Sequence, residues 1–356
     1  MENKMKGAIK LIINPLRLIL GILVYTTFKK NTNFGYQGIV GTFCDTNGKS
    51  TKFMHKMITY FKKPYDFGEK ISGVLGDFSQ EKIKAIADEI HQNGYYVFEH
   101  KLSEETCDAL MKFATETEAY VRPVESFDNS TSAILELEKQ KIDRNNPITI
   151  RYDFLPEALI ENQEVQKLLA DLSLIAIAQE YLECQPKSDV MGMWWHTAFS
   201  KEENAESATM YHFDMDRIKW LKFFFYLTDT TKDNGAHQFI KGSHNGNIPE
   251  QFLKQGYARL DSQEVVDYYG KENEITYEAP RGTIIAEDTS GLHRGNPVQK
   301  DDRLLFQIQF SDSLFGAESK TTRIDLDSIE QVLKDRISKY PDIYELYTTD
   351  TYQYKG

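Results

Sequence analysis

The sequence predicts a mainly β protein, an antiparallel sandwich or barrel with helices flanking it. Three observations lead there. Residues 191–199, 210–216, 221–227 and 304–310 are rich in aromatic, β-branched or long apolar side chains. Turn-forming runs such as Lys232-Asp233-Asn234-Gly235 and Gly242-Ser243-His244-Asn245-Gly246 separate them. No helix–strand alternation of the kind that builds a parallel sheet occurs between them.

Composition narrows the class. The chain has 356 residues, room for one large domain with additions or two modest ones. It is 40% hydrophobic and 12% aromatic, enough for a substantial core. A net charge of -12 argues against non-specific nucleic-acid binding, which relies on Lys and Arg neutralising phosphates, so no nucleic-acid partner is expected. Cys44, Cys107 and Cys184 are odd in number and far apart, neither a disulfide framework nor a zinc motif. A reducing, cytoplasmic setting follows.

Taken in order, the chain begins unusually. Residues 8–28 are strongly apolar but interrupted by Lys10, Asn14, Pro15 and Arg17, with Lys4 and Lys6 before them and Lys29 and Lys30 after. The unbroken apolar run is too short for a spanning helix by itself, and no small-x-small cleavage site follows it. Three readings stay open for this segment (the core of an N-terminal region 1–50): an interfacial membrane anchor, a helix buried against the main domain, or a spanning or signal segment. Residues 31–78 read as a loose connection, with a linker at 51–78. From Ser79 the pattern sharpens. Ile83, Ile86, Ala87 and Ile90 recur at helical spacing, Ser79 can cap the start, and Asn93-Gly94 can stop it. A strand at 95–98 and a helix from Ser103 follow, with more helical patterning over 163–182. An insertion of helical composition occupies 249–277. The region 317–356 is a charged tail whose Ile329, Val332, Leu333 and Ile337 predict one helix ending before Pro341.

The chemistry centres on Met210-Tyr211-His212-Phe213-Asp214-Met215-Asp216. On an extended segment His212, Asp214 and Asp216 share one face, and Tyr211, Phe213 and Met215 the other. An imidazole and a carboxylate two residues apart can reach one small cation together. Downstream stands His293 in a Gly-rich turn. Two His and one Asp form the facial triad typical of non-haem Fe(II), which leaves coordination positions open for co-substrate and oxygen. Ten residues past His293, Arg303 opens a strand on which it shares a face with Leu305, Gln307 and Gln309. Such a face needs a polar interior, and a bound dicarboxylate would provide one, since a guanidinium forks onto a carboxylate.

These residues resemble the phytanoyl-CoA dioxygenase family of iron- and 2-oxoglutarate-dependent oxygenases. The resemblance rests on His212-Phe213-Asp214, the strand Lys222-Phe223-Phe224-Phe225-Tyr226-Leu227-Thr228-Asp229, Asn234-Gly235, Gly242-Ser243-His244, His293 and Arg303. Asn93-Gly94-Tyr95-Tyr96-Val97-Phe98 and Leu102-Ser103-Glu104-Glu105 match the family's entry element, so the likeness covers about residues 79–316. It implies a double-stranded β-helix (cupin-like jelly roll) core. It also implies His212, Asp214 and His293 as catalytic iron ligands and Arg303 as anchor for 2-oxoglutarate. Iron(II), 2-oxoglutarate and O2 are the implied cofactor set, with ascorbate as a reductant. The expected reaction is hydroxylation of a small-molecule or lipid-like substrate with release of succinate and CO2. Retention of Asp214 favours hydroxylation over halogenation. The 78 residues between Asp214 and His293 exceed what a minimal barrel of this type needs, so the family's acyl-CoA substrate is not carried across.

Lys222, Gln307 and Trp195 are further candidates for co-substrate contact, beside Trp194 and His196 on the same stretch. Asp216 is expected to support the ligands without joining them. His244 and His237 are expected to bond backbone, and Arg294 to be a surface charge. Two other classes remain as alternatives: a non-catalytic cupin-like ligand-binding or interaction protein, against which the intact triad argues, and a cupin without 2-oxoglutarate, in which Arg303 would lack a purpose.

Overall fold

The structure is a computed structural model that describes residues 2–68, 70–122, 138–203, 208–246, 248–253 and 259–348, with side chains from Leu11 onward. Its centre is an eight-stranded antiparallel sheet. In spatial order the strands are Tyr95–Val97, Ile284–Glu287, Trp220–Tyr226, Asp302–Ser311, Lys187–Thr197, Arg151–Phe154, Ala119–Val121 and Lys139–Gln140. A smaller antiparallel sheet joins Glu274–Thr276, His237–Ile240 and His293–Gly295. The expected large antiparallel sheet with flanking helices is therefore present.

Register assigns the two faces of the large sheet. Arg303 pairs with His196, Leu305 with Trp194 and Tyr226, Gln307 with Gly192 and Phe224, and Lys222 with Glu287. Directly paired residues project to one side. On that side Trp194, Phe224, Tyr226, Ile285 and Leu305 pack with Phe239 and Tyr277, so this face looks towards the smaller sheet. The opposite face carries Trp195, Phe223, Phe225, Leu304, Phe306 and Ile308. It packs in a larger cluster with Ile86, Leu110, Ile175 and Leu182 from the helices. Each Phe buried there is worth roughly 1.5–3 kcal/mol over leaving it exposed.

The flanking helices follow their sequence signals. Ser79 accepts from the Lys82 amide at the start of Gln80–Asn93, and Gly94 ends it with a φ of 93°. Ser103 caps Glu104–Glu116 in the same way. The patterning over 163–182 resolves into two helices, Gln163–Leu169 and Leu172–Leu182, because Asp171 breaks the run to cap the second. The tail helix is Gln331–Lys339, with Leu333 and Ile337 buried in the larger cluster. In the insertion, Ser262–Tyr269 is helical and Glu274–Thr276 adds an edge to the smaller sheet, while 254–258 lie outside the described residues.

The loose connection expected over 31–78 is a correction. Asn33–Thr46 and Lys49–Phe61 are helices, and Lys70–Gly73 pairs with Gly76–Ser79 as a hairpin. Thr32 caps the first of these helices and Asn47-Gly48 turns the chain between them, both residues in left-handed conformation. Gly-rich composition read as slack has a packing cause instead. A Cβ on Gly35 would lie 2.9 Å from Gly21, and one on Gly38 2.4 Å from the Leu18 backbone, so the glycines let Asn33–Thr46 lie directly against Glu2–Phe28.

Candidate metal centre

The stretch 210–216 keeps the alternation its sequence predicts but not a regular strand. Tyr211 bridges to Leu260 and His212 to His293. Tyr211, Phe213 and Met215 are buried in a cluster with Ile39, Phe43 and Leu292, while His212 and Asp214 point the other way. His212 and His293 exchange both backbone hydrogen bonds, at 3.1 and 2.9 Å, which sends their side chains to one side with ring centroids 4.3 Å apart. The Asp214 amide donates to the Thr289 carbonyl at 2.8 Å, fixing the third member. Gly291 makes the turn before His293 feasible: a Cβ there would lie 2.6 Å from the Phe239 ring.

One ligand atom from each of His212, Asp214 and His293 falls within 4.8 Å of the others. The donor set fits a divalent metal on a second count. Nδ1 of His212 lies 3.0 Å from the Met210 carbonyl, and Nδ1 of His293 lies 2.9 Å from the Gly291 carbonyl. A carbonyl only accepts, so each Nδ1 carries the proton and each Nε2 keeps its lone pair. Those Nε2 atoms lie 3.9 and 3.6 Å from the Asp214 carboxylate. Burial depresses the pKa of both imidazoles and outweighs the opposing pull of the Asp214 carboxylate, so both rings are neutral at neutral pH. Burial alone would raise Asp214; the Lys222 ammonium and both imidazoles outweigh it and hold the carboxylate well below its usual range.

Around the triad the predicted residues fall into distinct positions. Lys222 donates to Asp214 Oδ2 at 2.6 Å and sits 3.4 Å from Asp216, so it is engaged by the ligand carboxylate and its neighbour. Asp216 thus touches the centre through Lys222. Arg303 is buried on the inner face. It donates to His196 Nδ1 at 2.6 Å and to the Gly235 carbonyl, its Nε has no partner, and no carboxylate pairs with it among the described residues. Burial pulls its pKa down to about 10. Its guanidinium lies 3.3 Å from where a Cβ on Gly295 would be, two residues past His293. Gln307 lies on the same face against Gly192, half-buried, whereas Gln309 is occupied by Asp189 at 2.8 Å.

Two readings need correction. Trp195 does not face the centre: it is buried on the helical side of the sheet and its indole N–H donates to the Ala114 carbonyl at 3.2 Å. Period two gives the inner face to its neighbour Trp194, whose ring lies under the Arg151 guanidinium at 4.5 Å. Arg294 is no surface charge. It stacks on Tyr211 at 4.7 Å and donates to Gln238 and Ser262, tying the insertion to the smaller sheet. His244 does bond backbone, donating to the His91 carbonyl at 3.0 Å.

The expectation that His237 bonds backbone fails as well, because its ring belongs to a supporting pair that the sequence reading missed. His237 stacks on His293 with centroids 5.5 Å apart and planes 6° from parallel, and its Nε2 is 3.0 Å from Glu287 Oε1. Burial raises Glu287 to about 8 and lowers His237 to about 3, so the two pair as neutral groups at pH 7. A carboxylate in the apolar run Ile284-Ile285-Ala286-Glu287 was the available signal.

Comparison with known proteins agrees with this geometry. The profile of the phytanoyl-CoA dioxygenase (PhyH) family matches residues 90–303, more than half of the chain. No curated protein matches. Among solved structures, the chain is similar to the non-heme α-ketoglutarate-dependent epimerase SnoN from nogalamycin biosynthesis. Identity is 13%, with 65% of this chain and 84% of that one covered and a TM-score of 0.47. HygX from Streptomyces hygroscopicus, with nickel, 2-oxoglutarate and hygromycin B bound, is 12% identical over 70% of this chain and 92% of that one, TM-score 0.45. EctD from S. alaskensis with bound Fe is 16% identical over 70% and 83%, TM-score 0.43. With its triad, its buried arginine and a family match over most of the sheet, the chain belongs to the phytanoyl-CoA dioxygenase family of iron- and 2-oxoglutarate-dependent oxygenases.

Proposed function

We propose that this oxygenase hydroxylates a small molecule at an iron centre held by His212, Asp214 and His293, with Arg303 receiving the distal carboxylate of 2-oxoglutarate. The observation that carries the assignment is Arg303: a guanidinium buried on the inner face of the large sheet without an acidic partner among the described residues, beside a triad whose two imidazoles keep their Nε2 lone pairs. A buried charge without a counter-ion is costly, and a ligand carboxylate removes that cost. When bound, iron with 2-oxoglutarate and O2 supplies the oxidation, giving succinate and CO2 and placing one oxygen atom in a substrate C–H bond.

The chain's own residues then divide the remaining work. The Met210 and Gly291 carbonyls fix the tautomer of the two imidazoles. Lys222 holds Asp214 ionised and oriented, which favours hydroxylation. Trp194, Phe224, Tyr226 and Leu305 line the inner face and keep water away. Gln307, half-buried beside Gly192, is placed to contact the co-substrate or substrate. The facing of the two sheets across this cluster supports a double-stranded β-helix core. We assign 79–316 to the oxygenase domain, with the insertion at 249–277 and the tail at 317–356. Its three cysteines are free, which supports a cytoplasmic setting. For residues 8–28 we propose contact with a membrane surface.

The test is succinate formation from 2-oxoglutarate with Fe(II), ascorbate and oxygen, without added substrate, followed by anaerobic titration of Fe(II) and 2-oxoglutarate. His212→Ala should abolish turnover. Arg303→Ala should raise the 2-oxoglutarate requirement about tenfold to a hundredfold, the value of a charge-assisted hydrogen-bonded pair. If neither iron nor 2-oxoglutarate binds, the oxygenase assignment falls and a ligand-binding barrel replaces it.

A further inference from the structure

The N-terminal helices carry a second feature that the iron chemistry does not use. Charge divides unevenly along the chain. Residues 1–63 hold eleven Lys and Arg against two acids, a net of +9, while residues 64–356 hold 31 against 52, a net of -21. The basic part also carries most of the exposed large apolar side chains among the described residues.

Helix Glu2–Phe28 has two apolar faces. Asn14, Leu18 and Gly21 are buried against Asn33–Thr46, and Asn14 donates to Asp45 at 2.9 Å. Leu11, Ile12, Leu16, Ile19, Leu20 and Leu23 lie 53–66% exposed along the rest of the helix. The window Leu11–Phe28 is long and apolar enough to cross a membrane, yet one side of it is committed to a partner helix through glycine contacts and a polar pair. Lipid cannot surround such a helix, and with only 17% of the window buried it is no core helix either. Helix Lys49–Phe61 repeats the pattern at smaller scale. Phe53, Met57, Tyr60 and Phe61 fall at i, i+4, i+7 and i+8 and are 46–72% exposed, among exposed Lys49, Lys52, Lys56 and Lys63. Aromatic and aliphatic side chains interleaved with lysines are what an interfacial helix presents to a bilayer.

The layer is fixed to the oxygenase, not hung from it. Asn31 donates to the Leu314 carbonyl at 2.8 Å and Asn47 to the Ile248 carbonyl at 3.0 Å, and His55 meets Asp312 at 2.8 Å. Phe43 packs on Phe213, the residue between two of the metal ligands, with ring centroids 5.7 Å apart.

We infer that the exposed faces of residues 11–28 and of Lys49–Phe61 together form a docking surface for a bilayer with anionic headgroups. The protein lies on the membrane without crossing it, its -21 portion facing away. The inference rests on the membrane reading of residues 8–28 and adds a second helix and a lipid class to it. The charge split supplies the complementarity: lysines near an anionic surface each add to binding, and the acidic remainder repels it.

Flotation of the full-length protein with vesicles tests this, using phosphatidylcholine alone and phosphatidylcholine mixed with phosphatidylglycerol. Binding is expected only with phosphatidylglycerol and should weaken with salt. Lys49→Gln with Lys56→Gln should weaken it roughly tenfold or more. Leu16→Ser with Leu23→Ser and Phe53→Ser with Phe61→Ser should each release the protein, with uncoupled succinate formation unchanged as the check on folding. Loss in the Leu pair alone overturns the second helix while leaving the reading of 8–28. Equal binding to both vesicles overturns the lipid class. No binding by the parent overturns the whole surface, and conversion of a dimer to a monomer by the Leu or Phe pair, seen by light scattering, would assign it to a second copy of the chain.

Discussion

The two faces of the large sheet come from the same strands and obey the same alternation, yet they have opposite compositions. Phe223, Phe225, Trp195, Leu304 and Phe306 form the helical face without a charged side chain among them. One residue along each strand, Lys222, Tyr226, His196 and Arg303 look inward with Glu287 beside them. Burial is similar on both sides, so burial does not separate core from site. What separates them is whether the buried polar atoms are satisfied within the protein. Trp195 has its carbonyl partner, whereas Arg303 Nε, Trp194 Nε1 and Glu287 Oε2 have none among the described residues. A stable core leaves few such atoms, and a site built to receive a ligand leaves several.

Substitutions that act on one face alone test the contrast. Phe225→Ala on the helical face should cost about 3–5 kcal/mol of stability through the cavity it leaves. Activity per folded molecule should persist; denaturant melts beside turnover measure both, and loss of turnover at full stability would erase the distinction. On the inner face, His237→Ala should weaken Fe(II) about 10- to 100-fold, the usual effect of removing a partner of a metal ligand. Calorimetric titration of Fe(II) reads it. An unchanged affinity would make the stacking on His293 a packing contact only.

The smallest expected effect lies outside both faces and sharpens the comparison by supplying a pure stability term. His91 stacks on Tyr181 at 4.4 Å, and burial with the nearby Lys219 charge lowers its pKa from 6.5 to about 4. Above pH 6.5 the ring is neutral in both folded and unfolded chains, so it adds no pH dependence. Between 6.5 and 4 the unfolded chain takes the proton first, and stability falls as pH falls. Thermal melts across that range should show a shallower slope for His91→Asn than for the parent. Identical slopes would mean that His91 titrates normally in the fold.

Much of this could be read from particular residues. The caps Ser79 and Ser103 act within one turn of their helices, so local sequence sufficed to place them. The H-x-D spacing settled which side chains share a face because alternation needs no partner strand. Trp194 and Trp195 show the limit. Alternation says they face opposite ways, but which of them faces inward depends on pairing with Leu304 and Leu305, more than a hundred residues away. The same holds for Glu287, whose role requires the register that sets it beside Lys222. Gly35 and Gly38 misled in another way: in sequence they suggest slack, and only contact with the first helix shows them to be packing positions.

The sequence by itself determined the candidate ligand set, the arginine-headed strand, the capped helix starts at Ser79 and Ser103 and the basic, apolar N-terminus, all carried by residue type and short-range period. Tertiary structure decided the register, and with it the inner tryptophan, the His237–Glu287 pair and the lack of an acidic partner for Arg303 among the described residues. It also decided that the first helix commits one face to protein and leaves the other bare. Those properties depend on which distant groups meet, and neither periodicity nor propensity along one segment encodes that.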